Sequence, residues 1–343
     1  MSETTTTPAF GQLDGQPVPL LAITAPSGQQ ARLCAFGARL VGLDAPDRHG
    51  HSADIVLGHD RLSDYQAYPT YFGATCGRYA NRIAGGRFTL DGAKVQLDLN
   101  EGVNHLHGGA LGFDKMLWTV DFHGPDRVSF SSVSPQGDMG YPGALRMTTT
   151  FAWDANSRFH IVMTARTDAT TVVNIVNHAY FNLAGGGNVL DHEMTVCADR
   201  FVPVRLDLIP TGEIRSVAGT AFDFLTPVSI RKALARDAAM QDGFDHNWCL
   251  NAPQGSPAVR LYHPGSGRGF TLSTAEPGVQ IYTCGMMTKP VPGKAGQTYG
   301  RFSGLTLETQ KYPDSPNHPQ FPSARLDPAQ TYHHAMEFSF FTA

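Results

Sequence analysis

Charge is scarce in this chain: Asp, Glu, Lys and Arg make up 16% of its 343 residues, against about 25% in an ordinary globular protein. That is too little for a coiled coil or a long solvated helix, and a hydrophobic share of 41% is too high for a disordered chain. No run of like charges occurs and the formal net charge is only -4, so there is no electrostatic footprint for nucleic acid or an anionic lipid surface. Cysteine is sparse and scattered. Cys34, Cys76, Cys197, Cys249 and Cys284 form no Cys-x-x-Cys pair, which argues against a zinc ribbon or a small disulfide scaffold and predicts mostly buried free thiols. No apolar run approaches the ~18 residues of a membrane span. The Ser/Thr-rich start, Met1 to Pro8, lacks the basic and apolar regions of a secretory leader. These absences lead us to expect a cytoplasmic protein with a disordered tail over residues 1–10. Its partner should be a small, roughly uncharged molecule, not nucleic acid or a membrane.

Turn-formers, by contrast, are plentiful: 36 Gly and 23 Pro together fill about one position in six. Between them the hydrophobic period is two, not 3.6. Leu145, Met147, Thr149, Phe151 and Trp153 alternate with Arg146, Thr148, Thr150 and Ala152, and Phe159, Ile161 and Met163 alternate with His160, Val162 and Thr164. Asp91-Gly92 separates two short runs in the manner of a hairpin, since both residues accept the positive φ of a tight turn; Val95, Leu97 and Leu99 then share one face. A helical pattern is confined to Pro227–Gln241, with Thr226 as cap and Pro227 in the first turn. No linker or repeat divides the chain. The expected architecture is all-β, a large antiparallel β-sandwich forming a single domain over residues 11–343.

Several polar clusters interrupt this apolar, glycine-rich pattern, and buried polar groups cost free energy unless they are satisfied or functional. Gly77-Arg78-Tyr79-Ala80-Asn81-Arg82-Ile83 brackets small residues with two arginines. Asn104-His105-Leu106-His107-Gly108-Gly109 sets two imidazoles before a glycine pair; a metal site of the cupin type would need a nearby acid, and Gly108 to Phe113 has none. Val173 to Asn182 reads as a strand with Asn174, His178, Tyr180 and Asn182 on one face. Gly243-Phe244-Asp245-His246-Asn247-Trp248 flanks an acid and an imidazole with aromatics, as sugar sites often do. Gly278-Val279-Gln280 and Leu305-Thr306-Leu307-Glu308-Thr309-Gln310 follow, with Glu308 on the polar face of its strand.

In this order the six segments, with Tyr312-Pro313-Asp314 after the last, resemble the aldose 1-epimerases, or galactose mutarotases, over about Leu20 to Phe341. The resemblance implies that family's large single-domain supersandwich, which agrees with the period-two pattern. It implies Glu308 as general base and His178 as general acid, with Asn81, Arg82, His107, Asp245 and Gln280 binding a monosaccharide. It implies no cofactor and no metal. One departure falls after Thr283, where many relatives continue Gly-Asn and this chain has Cys284-Gly285-Met286, a difference expected at the rim of the pocket.

The chemistry suits these residue types. Anomer interconversion removes the proton of the C1 hydroxyl and protonates the ring oxygen, so one base and one acid suffice. A Glu of ordinary pKa near 4.3 is ionised at neutral pH and a His near 6.5 keeps a protonated fraction. A hexose-6-phosphate epimerase is the alternative enzyme, but it would want a cationic cluster, and only Arg78, Arg82 and Arg87 are candidates. A non-catalytic sugar-binding module would be expected to have lost Glu308 or His178. Either a monomer or a homodimer is compatible with the sequence.

Overall fold

The structure, a computed structural model, describes residues 9–253 and 255–343. Most of the expected N-terminal tail lies outside these residues. Ala9 and Phe10, which that expectation included, belong to a strand, Ala9–Leu13, paired antiparallel with Gln16–Thr24.

Two large sheets organise the molecule. The nine-stranded one runs in the order Thr119–His123, Arg127–Ser134, Leu145–Trp153, Phe159–Thr167, Tyr332–Thr342, Arg268–Thr274, Val259–Tyr262, Glu193–Val196 and Val228–Ser229. The six-stranded one runs Tyr180–Phe181, Leu305–Gln310, Gly278–Tyr282, Asp245–Cys249, Arg200–Val202 and Arg215–Ser216. Every ladder within both is antiparallel. Alternation dictates which side chains meet between the sheets: Phe181 of the smaller sheet lies 4.9 Å from the Phe270 ring and 5.5 Å from the Phe338 ring of the larger. One apolar cluster extends from Val18 to Phe338 and includes inward residues of both sheets, the arrangement of a β-sandwich.

Leu145–Trp153 and Phe159–Thr167 show the expected alternation of buried and partly exposed positions. The Asp91-Gly92 hairpin forms, with φ of +50° and +80°, although Leu99 is 49% exposed rather than continuing the inner face. The helical segment is shorter than expected. Val228–Ser229 adds an edge strand, Ser229 rather than Thr226 caps the helix by accepting from the Lys232 amide, and the helix itself spans Ile230–Leu234. Sheet pairing at Val228 wins over Pro227 as a helix start. All five cysteines are free and all but Cys197 are buried. Among the described residues no helix is long and apolar enough to cross a membrane.

Candidate active site

The polar face of the six-stranded sheet forms the floor of a cleft of about 390 Å³, within the usual range for small-molecule sites. Antiparallel register places Gln280 opposite Asn247 on one side and Glu308 on the other. Because successive side chains alternate, Leu305 and Leu307 join the core while Thr306, Glu308 and Gln310 share the opposite face. That face is not solvated, contrary to the usual fate of a polar strand face: all six residues of Leu305–Gln310 are buried. Asp245 lines the cleft from Asp245–Cys249, the strand on the far side of Gly278–Tyr282. Its expected aromatic flank points the other way, since Phe244 and Trp248 are core residues and His246 packs against Phe222. The rings at the cleft are Tyr71, Tyr180 and Tyr282 instead.

Loops supply the opposite wall. Asn81 and His107 are tied reciprocally: the Asn81 amide donates to His107 Nδ1 at 3.2 Å and the His107 amide to the Asn81 carbonyl at 3.1 Å. Gly108, at φ +91°, allows this turn to approach the Gly77 carbonyl, where a Cβ would collide with that oxygen. The Tyr312-Pro313-Asp314 segment holds the same wall, for Asp314 donates its amide to the Arg82 carbonyl and accepts from the Ala84 amide. Arg82 itself is gripped by Glu101, whose two oxygens accept from Nε and Nη2 at 2.6 Å each, while Nη1 lies 3.5 Å from Asp245. Burial works to lower the Arg82 pKa, but the charges of Asp245 and Glu101 more than reverse it.

His178 closes the end of the cleft. Its ring lies between those of Tyr180, 4.9 Å away, and Tyr71, 5.6 Å away, both nearly parallel to it. His178 Nε2 is 3.5 Å from Glu308 Oε1, which also accepts a 2.9 Å bond from Thr306. The segment around His178 is not the single strand that alternation suggested. Val176–Asn177 pairs with Thr75–Cys76, Tyr180–Phe181 pairs with Leu305–Thr306, and the chain bends between them. Of the four residues expected on one face, His178 and Tyr180 reach the cleft. Asn174 and Asn182 bond to backbone groups elsewhere, including those of Lys311 and Ser303.

Burial inverts the protonation expected of the acid–base pair. Glu308 is 2% exposed and His178 4%. Desolvation raises Glu308 to about 8, against the opposing pull of the Thr306 bond and the Arg82 charge. Desolvation also lowers His178 to about 3, with Arg39 adding to the effect. The expectation of an ionised Glu and a partly protonated His reflected groups in water; here both charged forms have lost their hydration. Glu308 Oε2 and His178 Nδ1 are buried without a hydrogen-bond partner in the protein.

His107, His178 and Glu308 bring potential ligand atoms within 4.8 Å of one another, a donor set of the kind that holds a divalent cation. The imidazoles differ from the His-x-His pair of the sequence, because His105 is bonded to the Asp98 carbonyl and the Tyr141 hydroxyl. His107 Nδ1 accepts the Asn81 amide proton, so the neutral ring carries its own proton on Nε2. In this tautomer His107 is a hydrogen-bond donor rather than a metal ligand.

Asn81, Arg82, His107, His178, Asp245 and Glu308 thus come together at one cleft. Gln280 does not line it; its Nε2 donates to Asp245 at 2.6 Å. Of the other arginines, Arg78 is buried among carbonyls of Ser134, Pro142 and Gly143, and Arg87 lines a separate groove, so neither joins Arg82 in a cationic cluster. Tyr71 and Glu101 belong to none of the six segments, and Thr306 lies in the last of them without a role that the sequence assigns. Glu101 lies three residues before the Asn104 segment, and only its bond to Arg82 marks it out. Met286 and Met287 line the cleft mouth, which places the departure after Thr283 at the rim.

The family model described as aldose 1-epimerase matches residues 19–339. A galactose mutarotase from Bos taurus is 46% identical over 316 residues, covering 91% of each chain. An aldose 1-epimerase from Escherichia coli (strain K12) is 35% identical over 341 residues, covering 97% of this chain and 98% of its own. Among solved structures, an aldose epimerase homologue from C. elegans superposes with a TM-score of 0.91 at 31% identity, covering 95% of this chain and 99% of that one.

Proposed function

Given that this chain belongs to the aldose 1-epimerase family, we propose that Glu308 and His178 carry out its acid–base chemistry. The enzyme is an isomerase, a mutarotase that interconverts the α and β anomers of a free aldose such as glucose or galactose. Glu308 takes the proton of the C1 hydroxyl while His178 gives one to the ring oxygen; the bond between C1 and the ring oxygen breaks and the open aldehyde forms. Rotation about C1–C2 presents the other face of the carbonyl, and the ring oxygen attacks it as both protons return. No electron transfer and no covalent enzyme intermediate is needed.

The observation that carries this reading is the 3.5 Å approach of His178 Nε2 to Glu308 Oε1 at the floor of the cleft. Burial favours the neutral pair, Glu308 protonated and His178 not. Moving that one proton from oxygen to nitrogen creates the carboxylate and imidazolium that ring opening uses, so the pair needs no proton from solvent. On this reading Asn81, Arg82, the His107 Nε2–H and Asp245, which line the cleft, hold the sugar hydroxyls, and Arg82 stabilises negative charge developing on a sugar oxygen. Gln280 serves the sugar through Asp245, which it orients.

Polarimetry on freshly dissolved α-glucose or α-galactose tests the assignment. The wild type should speed equilibration well beyond buffer, and Glu308→Gln should lose about 10²–10⁴-fold in kcat. Full activity in that variant would remove Glu308 from the mechanism.

A further inference from the structure

Arginine recognises phosphate and carboxylate best through its forked edge, where Nε and one terminal nitrogen donate two parallel hydrogen bonds. In Arg82 that edge is occupied. Glu101 accepts from Nε and from Nη2 at 2.6 Å each, which leaves Nη1, the nitrogen facing Asp245, as the group turned to the cleft. The Arg82 side chain is only 8% exposed and Asp245 13%, whereas Glu101 is 35% exposed and borders the solvent side of the guanidinium. Glu101 is thus the outermost member of the chain that runs Gln280, Asp245, Arg82, Glu101.

The charge balance of the cleft turns on the same residue. Arg82 and the exposed rim residue Lys289 are its cations, and Asp245 is its one anion while the buried Glu308 holds a proton. Glu101 supplies the second negative charge, and without it the surroundings of a bound sugar would be net positive. From the occupied fork and this balance we infer that Glu101 is a specificity-determining residue. Acting through Arg82, it makes the site select uncharged aldoses over those bearing a phosphate or carboxylate. The inference rests on the reading of this cleft as the sugar site.

Removal of the charge with little change of shape tests it. Wild type, Glu101→Gln and Glu101→Asp are assayed for anomer interconversion on glucose and on glucose 6-phosphate, with inorganic phosphate as a competing anion. Turnover of glucose by the wild type checks the reading of the cleft on its own, and its absence would sink that reading first. For the inference, Glu101→Gln should raise the ratio of kcat/KM for glucose 6-phosphate over glucose about tenfold and should become inhibitable by inorganic phosphate. Glu101→Asp, which keeps the charge, should stay within about threefold of the wild-type ratio. The inference is overturned if both variants shift the ratio equally, if Glu101→Gln leaves it unchanged, or if the wild type already prefers the phosphate. Should Glu101→Gln lose turnover altogether, calorimetry with inorganic phosphate decides: binding by the variant and not by the wild type supports the role, and no difference ends it.

Discussion

Glu308 and His178 are both stripped of water, and desolvation penalises the charged form of each, so between about pH 3 and about 8 the pair holds a single proton. Catalysis that shuttles this proton should show kcat/KM level across neutral pH. Above about 8 it should decline by about tenfold per unit as Glu308 ionises and the pair is left with none. A profile that instead rises through pH 8 would mean that the doubly deprotonated pair is the working form. The same shift has a stability consequence. The folded Glu308 holds its proton up to about 8, while in the unfolded chain it loses it near the ordinary glutamate value of 4.5. Its contribution is therefore fully present below pH 4.5 and is lost as pH rises towards 8. At about 1.4 kcal/mol per unit, the carboxyl costs on the order of 3 kcal/mol at pH 7. Glu308→Gln should accordingly gain stability over the wild type in urea titrations at pH 7, and that advantage should shrink towards pH 5. The sequence alone named both residues but misjudged their protonation, because ordinary pKa values belong to solvated groups.

Among the elements, the turn that carries His107 shows how backbone sets the site. Gly108 sits at φ +91° against the Gly77 carbonyl, so Gly108→Ala meets both an unfavourable conformation and a steric collision. A loss of about 3 kcal/mol or more is expected, with a raised KM as His107 moves away from Asn81. Gly92→Ala is the control: its φ is +80°, nothing surrounds its Cβ, and it lies in the remote hairpin. It should cost about 1 kcal/mol and leave the kinetics alone. Thermal unfolding and initial rates on both variants check the pair. Elements whose pattern faces one core were legible, such as Leu145–Trp153 and Phe159–Thr167. Val173 to Asn182 was not, because its residues pair with two different partners and alternation carries no mark of the bend between them. Helix length failed at Val228 for a related reason, since a sheet edge took the residues that local propensity had assigned to the helix.

For the molecule as a whole, the cleft rests on a sandwich whose two sheets meet through rings. Phe181 bridges them, 4.9 Å from Phe270 and 5.5 Å from Phe338, and follows the cleft residue Tyr180 directly. Phe181→Ala should cost about 3–5 kcal/mol, read by urea unfolding, and should also lower kcat by loosening the support of His178. A single cooperative transition in that experiment is the outcome expected of one domain. The sequence by itself determined the strand-rich class, and its resemblance to the aldose 1-epimerases picked out Asn81, Arg82, His107, His178, Asp245 and Glu308, which meet at the cleft. The class follows from local period, which folding does not alter, and the residues from the order of six motifs along the chain. Tertiary structure alone decided that Glu308 is buried, with desolvation pushing its pKa up, that Gln280 bonds to Asp245 and does not line the cleft, and that Glu101 holds Arg82. Each of these depends on register and desolvation between segments far apart in the chain, and no local pattern encodes the loss of water around a group.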